Sequence, residues 1–295
     1  LEGMKQYYLK YRVSGDGGRT ALVDERVIQR GYTPEHPCEH VWIGRNCMTM
    51  PSNQPMVRTR QGHLATCISI SVPGPDGELY NPGGAYTWLE ELILLGHWRE
   101  DGSGRIDWEC GPRLAITPEL STRGLDESAM ALMPDGRLLL VIRGSNGGTS
   151  DPDVKIPGRK WYCLSGDGGY TWSEPAAWGY TDGELFYSPA SMCTILRHSN
   201  GNYYWFGNIN PTNPQGNHYR YPLVCGQIDP DTCLLRRGTL FTIADRRPDE
   251  PEFLQYSNFS THEDRVTGEI VLEVPYFFKA EEGWTGDTYQ YRIAV

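Results

Sequence analysis

Four times along the chain, a short polar turn ending in glycine leads into an apolar run of strand length. Arg60-Gln61-Gly62 precedes His63–Ile70, Pro134-Asp135-Gly136 precedes Arg137–Ile142, Ser199-Asn200-Gly201 precedes Asn202–Phe206, and Val266-Thr267-Gly268 precedes Glu269–Val274. A second apolar run stands ahead of each turn, as in Ser128–Met133 and Met192–Leu196, so the unit reads as a β-hairpin. The copies lie roughly 65–75 residues apart, which leaves room for four strands and their loops. Helical periodicity is weak throughout, and its strongest candidate, Thr87–Leu95, is short and flanked by glycines. Repeated hairpins without helices predict an all-β fold, and the regular spacing favours a β-propeller over a sandwich. A propeller of this size is expected to occupy residues 1–295 as a single domain.

Composition narrows the partners. The 34 glycines and 21 prolines are dispersed among short apolar runs, as turns require. The 18 Tyr and 9 Trp outnumber the 7 Phe. Such amphipathic rings suit a pleated, half-buried surface and equally suit stacking on a sugar ring. A formal net charge of −10 argues against nucleic acid and anionic membrane as partners. A small anionic ligand stays open, because a local arginine cluster can oppose the global field. No apolar run approaches the roughly 18–20 residues that cross a bilayer. The eight cysteines form no C-x-x-C pair, and Cys67, Cys163, Cys193 and Cys225 sit in apolar runs as buried free thiols. Asp151-Pro152-Asp153 reads as a turn, not a calcium loop, so neither metal nor cofactor is expected.

A second repeat is sharper. Ser165-Gly166-Asp167-Gly168-Gly169-Tyr170-Thr171-Trp172 fits S-x-D-x-G-x-T-W, and Ser14 to Thr20 fits with Ala21 in the tryptophan position. In such a turn, Ser and Asp side chains bond the turn's own backbone N–H groups while glycines take the positive-φ positions. This is the Asp box, and from it onward the chain resembles the sialidase (neuraminidase) superfamily. The resemblance implies six blades, with the N-terminal blade missing or incomplete in this chain, and a secreted or periplasmic location. It also implies a site with three carboxylate-binding arginines, a Tyr nucleophile paired with a Glu, and an Asp acid/base.

Residue by residue, Asp126-Glu127-Ser128-Ala129-Met130, the turn at Pro134–Arg137 and Leu140–Arg143 resemble the family's Glu-to-Arg hairpin. Glu127 then matches the glutamate that polarises the nucleophile, and Arg143 the second arginine. Arg220, ahead of Tyr221–Val224, matches the third arginine, after a polar loop from Asn208 to His218 that could rim a pocket. Tyr256 in Tyr256-Ser257-Asn258-Phe259 matches the nucleophile. Tyr86 and Trp88 are candidate stacking rings. Only thirteen residues precede Ser14 and none supplies the family's R-I-P segment, so the first arginine and the acid/base aspartate stay unassigned.

The reading is an exo-glycoside hydrolase acting on a terminal acidic sugar, its carboxylate held by Arg143 and Arg220. Bidentate guanidinium–carboxylate pairing is the reason for Arg there and not Lys. Two alternatives differ in class. One is a polysaccharide lyase acting on uronic acids through Arg220 with His218 or Tyr219. The other is a glycan-binding propeller without catalysis.

Overall fold

The computed structural model describes residues 3–49, 56–84, 87–279 and 283–295. Tyr86 lies outside them. The structure is all-β, and the described residues hold only one helical turn, Gly3–Gln6, and one 3-10 turn, Arg237–Thr239. The glycine-flanked segment that came nearest to a helical pattern is a strand, Leu89–Trp98. Its apolar side chains suit burial on both faces of a sheet as well as one face of a helix, and local periodicity cannot separate the two.

Five sheets follow one another along the chain. A hairpin of Lys10–Val13 and Val23–Arg26 comes first. The second sheet is built on Leu64–Ser71, Leu89–Trp98 and Ile106–Leu114, with short strands at Met48–Thr49 and Val57–Arg58. The third runs Asp126–Leu132, Leu138–Arg143, Lys160–Ser165 and Ala176–Ala177, and the fourth Thr194–Arg197, Tyr203–Asn208, Leu223–Ile228 and Phe241–Ala244. The fifth is built around Ile270–Phe277, paired with Gln255–Tyr256, Ser260–Glu263 and Thr288–Ile293. All these pairings are antiparallel, and the four glycine turns read from the sequence each precede a strand.

Each sheet shares a core with the next. Leu138, Leu140 and Ile142 pack with Ala65, Cys67, Ile93 and Leu95 of the second sheet. The intervening Leu139 and Val141 face the other way, onto Cys193, Ile195 and Trp205 of the fourth. Successive side chains of a strand point to opposite faces, so a strand buried on both sides reads as an unbroken apolar run. Similar cores join the hairpin to the second sheet through Tyr11, Val23, Ile70 and Trp108, and the fourth to the fifth through Tyr204, Phe206, Ile270 and Leu272. All eight cysteines are free thiols, and only Cys110 is not fully buried.

The two S-x-D-x-G-x-T turns close the same way. Ser14 Oγ donates to Asp16 Oδ1 at 2.7 Å, Thr20 N–H to Asp16 Oδ1 at 2.9 Å, and Gly18 N–H to Ser14 Oγ at 2.8 Å. In the second copy the distances from Ser165 Oγ and Thr171 N–H to Asp167 Oδ1, and from Gly169 N–H to Ser165 Oγ, are all 2.9 Å. Gly168 and Gly169 hold φ of 82° and 104°, where a side chain is strained. Asp16 and Asp167 both titrate below the ordinary carboxylate range: hydrogen bonds from Thr20 hold Asp16 down, and at Asp167 burial is the largest single influence and pushes up, but hydrogen bonds from Thr171, Ser165 and Tyr170 together outweigh it.

Candidate functional site

Segments from four of the five sheets meet at one cavity of about 280 Å³. Thr49 and Ser69 come from the second sheet, Asp126, Glu127 and Arg143 from the third, Asn217 and Arg220 from a loop of the fourth, and Asn258 and Trp284 from the fifth. Arg123 adds a third guanidinium.

Glu127 reaches the cavity through a distortion of its strand. The pairing of Asp126–Leu132 with Leu138–Arg143 shifts register between Asp126 and Ala129, and Glu127 sits at φ 45°. A bulge of this kind re-aims a side chain, and a left-handed glutamate persists only where its surroundings fix it. Here Arg143 does so, with Nη1 2.5 Å from Glu127 Oε2 and 3.5 Å from Asp126 Oδ2. Burial pushes Glu127 up, but Arg143 and Arg220 outweigh it and hold its carboxyl below the usual range. For Asp126 burial wins and its carboxyl is raised, with Arg143 opposing and the Glu127 charge adding to the rise. Two adjacent carboxyls are thereby pushed apart in acidity, as an acid and an anionic partner require.

Arg220 is 5% exposed and held from behind: Nη1 donates to Gln255 Oε1 at 3.0 Å and Nη2 to the Ala190 carbonyl at 2.7 Å. Its Nε is buried without a partner among the described residues. Burial and the neighbouring Arg143 bring its pKa down to about 9. Behind the cavity Lys160 is fully buried, with Nζ donating to the Ser191 carbonyl, and burial lowers its pKa to about 8.

Arg123 sits where a loop passes under the second sheet. Leu125 N–H donates to the Leu89 carbonyl at 2.9 Å, and a Cβ on Gly124 would lie 2.1 Å from that oxygen. With φ at 72°, only glycine allows the approach that brings Arg123 to the cavity.

Glu127, Arg143 and Arg220 are thus brought together from the set expected on sequence, and three residues are not. Tyr256 is 1% exposed, packs in the core between the fourth and fifth sheets, and donates from its hydroxyl to the Asp245 carbonyl at 3.0 Å. Burial raises its pKa further above the ordinary tyrosine value. The cause is strand alternation: Gln255 faces Arg220, so the next residue faces the core. The role of nucleophile expected for Tyr256 is corrected accordingly.

Trp88 is buried, its Nε1 donating to Glu90 Oε1 at 3.1 Å, while its neighbours Thr87 and Leu89 line the cavity. It therefore offers no face for stacking. His218 lines an adjacent cavity of about 300 Å³, which shares only Arg123 and Asn217 with the first. Burial and the nearby Arg220 lower its pKa, favouring neutral imidazole. Tyr219, the other candidate base of the lyase alternative, donates to Glu252 at 2.6 Å. Asp151 is buried and accepts from the N–H groups of Gly147, Lys155 and Ile156, so it organises its own loop.

Sequence reasoning missed Arg123, Asp126 and Gln255, and reached Asn217 only as part of the polar loop from Asn208 to His218. Asp126 stood beside Glu127 and could have been weighed with it. No local pattern marks Arg123 or Gln255.

No protein-family model matches the chain, and no curated protein matches it. Solved structures do. The NanB sialidase of Streptococcus pneumoniae, as its K499G mutant, aligns over 96% of this chain and 35% of its own at a TM-score of 0.57 and 14% identity. The intramolecular trans-sialidase of Ruminococcus gnavus aligns over 98% of this chain and 50% of its own, at a TM-score of 0.58 and 17% identity. A protein of unknown function from Dyadobacter fermentans aligns over 98% and 66%, at a TM-score of 0.57 and 12% identity. The chain therefore spans from about a third to two thirds of the length of these structures. It has a sialidase-like fold. Identities this low speak for the fold alone.

Proposed function

We propose that residues 1–295 form a single sialidase-type β-propeller, with its Asp-box turns at Asp16 and Asp167, that takes a terminal carboxylate-bearing sugar and hydrolyses its glycosidic bond. Consecutive antiparallel sheets joined by shared cores are the geometry of blades. One observation carries the reading: Arg123, Arg143 and Arg220 arrive from separate segments at one cavity beside a carboxyl pair of split acidity. Arginines spend desolvation energy in such a place when an anion is to be held there. Asp126, the weaker acid of the pair, gives its proton to the leaving oxygen. Glu127, kept ionised, stabilises the positive charge developing on the sugar ring and directs water or itself at the anomeric carbon.

The test is release of nitrophenol from nitrophenyl glycosides of sialic and glucuronic acid, with the corresponding glucoside as control. The reading expects release from an acidic glycoside and none from glucose. Glycan binding without catalysis is the second reading, favoured by the engagement of Glu127 with Arg143 and by the burial of Tyr256. It expects tight binding of an acidic sugar with no nitrophenol released.

A further inference from the structure

Glu91 has no part in the scheme above, yet it is fully buried in the strand Leu89–Trp98, against the third sheet. Among the described residues it makes no ion pair. Its side-chain partners are three neutral donors: Cys67 Sγ at 2.7 Å and Ser128 Oγ at 3.1 Å from Oε2, and Ser69 Oγ at 3.1 Å from Oε1. The titratable groups facing it are Cys67 from its own sheet, Asp126 and Cys163 from the third, and Cys193 at the edge of the fourth.

Ser69 decides what this cluster can do. Its hydroxyl lines the cavity, accepts from the Glu127 N–H at 3.3 Å, touches Glu91, and also interacts with the Asp126 carboxyl. A hydroxyl has one proton to donate and two lone pairs with which to accept. It cannot donate to two carboxylates at once. All four groups are satisfied if Glu91 carries a proton on Oε1 and donates it to Ser69, while Ser69 donates to Asp126. Glu91 Oε2 is then the carbonyl oxygen that receives Cys67 and Ser128. Isolated burial of a carboxylate is costly, and burial with the nearby Asp126 charge raises the Glu91 pKa to about 7 even against these three donors.

We propose that Glu91 is a buried proton store which reloads Asp126 through the Ser69 hydroxyl. When Asp126 has given up its proton, Ser69 passes its own to the Asp126 carboxylate and takes the Glu91 proton in the same movement. One proton moves, Glu91 is left as the carboxylate, and no electrons are exchanged. Reversal of the same chain refills Glu91 once Asp126, which lines the cavity, has taken a proton from water. The role deepens the hydrolase reading and rests on Asp126 as its acid, but the proton itself can be observed without any substrate.

The experiment is infrared spectroscopy of the full chain in light and heavy water at mildly acidic pH, comparing wild type with Glu91→Gln and Ser69→Ala. Gln reproduces the neutral shape of a protonated Glu, so the fold is kept. The wild type is expected to show a protonated-carboxyl carbonyl component, additional to that of Asp126, that is lost in Glu91→Gln and shifts on deuteration. In Ser69→Ala that shift slows several-fold. Absence of such a band, or an unchanged exchange rate in Ser69→Ala, overturns the proposal. A protein that shows the band but cleaves no acidic glycoside defeats the hydrolase reading, and with it the reloading of Asp126, while the buried protonated Glu91 stands. One that cleaves without the band defeats the proton store alone.

Discussion

The hairpin that carries Glu127 and the strand that carries Tyr256 began as equals, two segments each expected to deliver one catalytic group to a common site. Only the first delivers. The register of Asp126–Leu132 slips, Glu127 turns left-handed, and its carboxylate meets Arg143. The Gln255–Tyr256 strand pairs regularly with Ile270–Phe277, so alternation sends Gln255 to Arg220 and Tyr256 to the core. A motif fixes which residues are near a site, but the strand's phase fixes which of them face it, and one residue of slip exchanges the two.

The sharpest way to break this comparison is to exchange the roles in practice. Glu127→Gln keeps the shape but removes the charge, and a loss of about 10²–10⁴-fold in turnover is expected, measured as nitrophenol release. If Tyr256→Phe shows that loss instead, the assignment of the two strands is reversed. Next in size, Arg220→Met removes a guanidinium while leaving the Glu127–Arg143 pair. Binding of an acidic sugar should weaken by roughly ten- to a hundredfold, the worth of a charged hydrogen bond, and Gln255→Leu should weaken it less by loosening Arg220.

A third effect concerns stability. Glu91 has a folded-state pKa of about 7 against an ordinary 4.5. An acid raised in this way holds its proton more tightly when folded, so its favourable contribution is complete below the unfolded value and is lost as pH rises through the folded one. The melting temperature of wild type should therefore fall between about pH 4.5 and 7 relative to Glu91→Gln, in which that component of the slope is absent. Smallest is Tyr256→Phe, which gives up one hydrogen bond to the Asp245 carbonyl. A cost of about 0.5–1.5 kcal/mol in denaturant unfolding is expected, with sugar binding and turnover unchanged.

Much of the fold was legible because it is local. Glycine turns at 62, 136, 201 and 268 and the two S-x-D-x-G-x-T segments encode their hydrogen bonds within a few residues, and the apolar run ending at Ile142 read as a strand, to which the structure adds burial on both faces. The site was legible only in part. Glu127 and Arg143 are joined by one hairpin and could be read together, whereas Arg123 reaches the cavity because Gly124 passes against a carbonyl from another sheet. Trp88 was misplaced by the same alternation that misplaced Tyr256: its neighbours on either side face the cavity and it does not. Glu91 did leave a trace, as one of two adjacent acids, Glu90 and Glu91, at the start of a mostly apolar strand, but its partners Ser69 and Ser128 come from elsewhere in the chain.

The central claim is that three arginines from separate segments hold a sugar's carboxylate. It is tested most directly by calorimetric titration of the wild-type chain with sialic acid and glucuronic acid, each alongside its methyl ester. The esters keep the ring and its hydroxyls and lose only the charge. At least one acid should bind, with its ester weaker by roughly tenfold or more, and raised salt should narrow that gap. Equal binding of acid and ester, or binding of neither acid, would contradict the account.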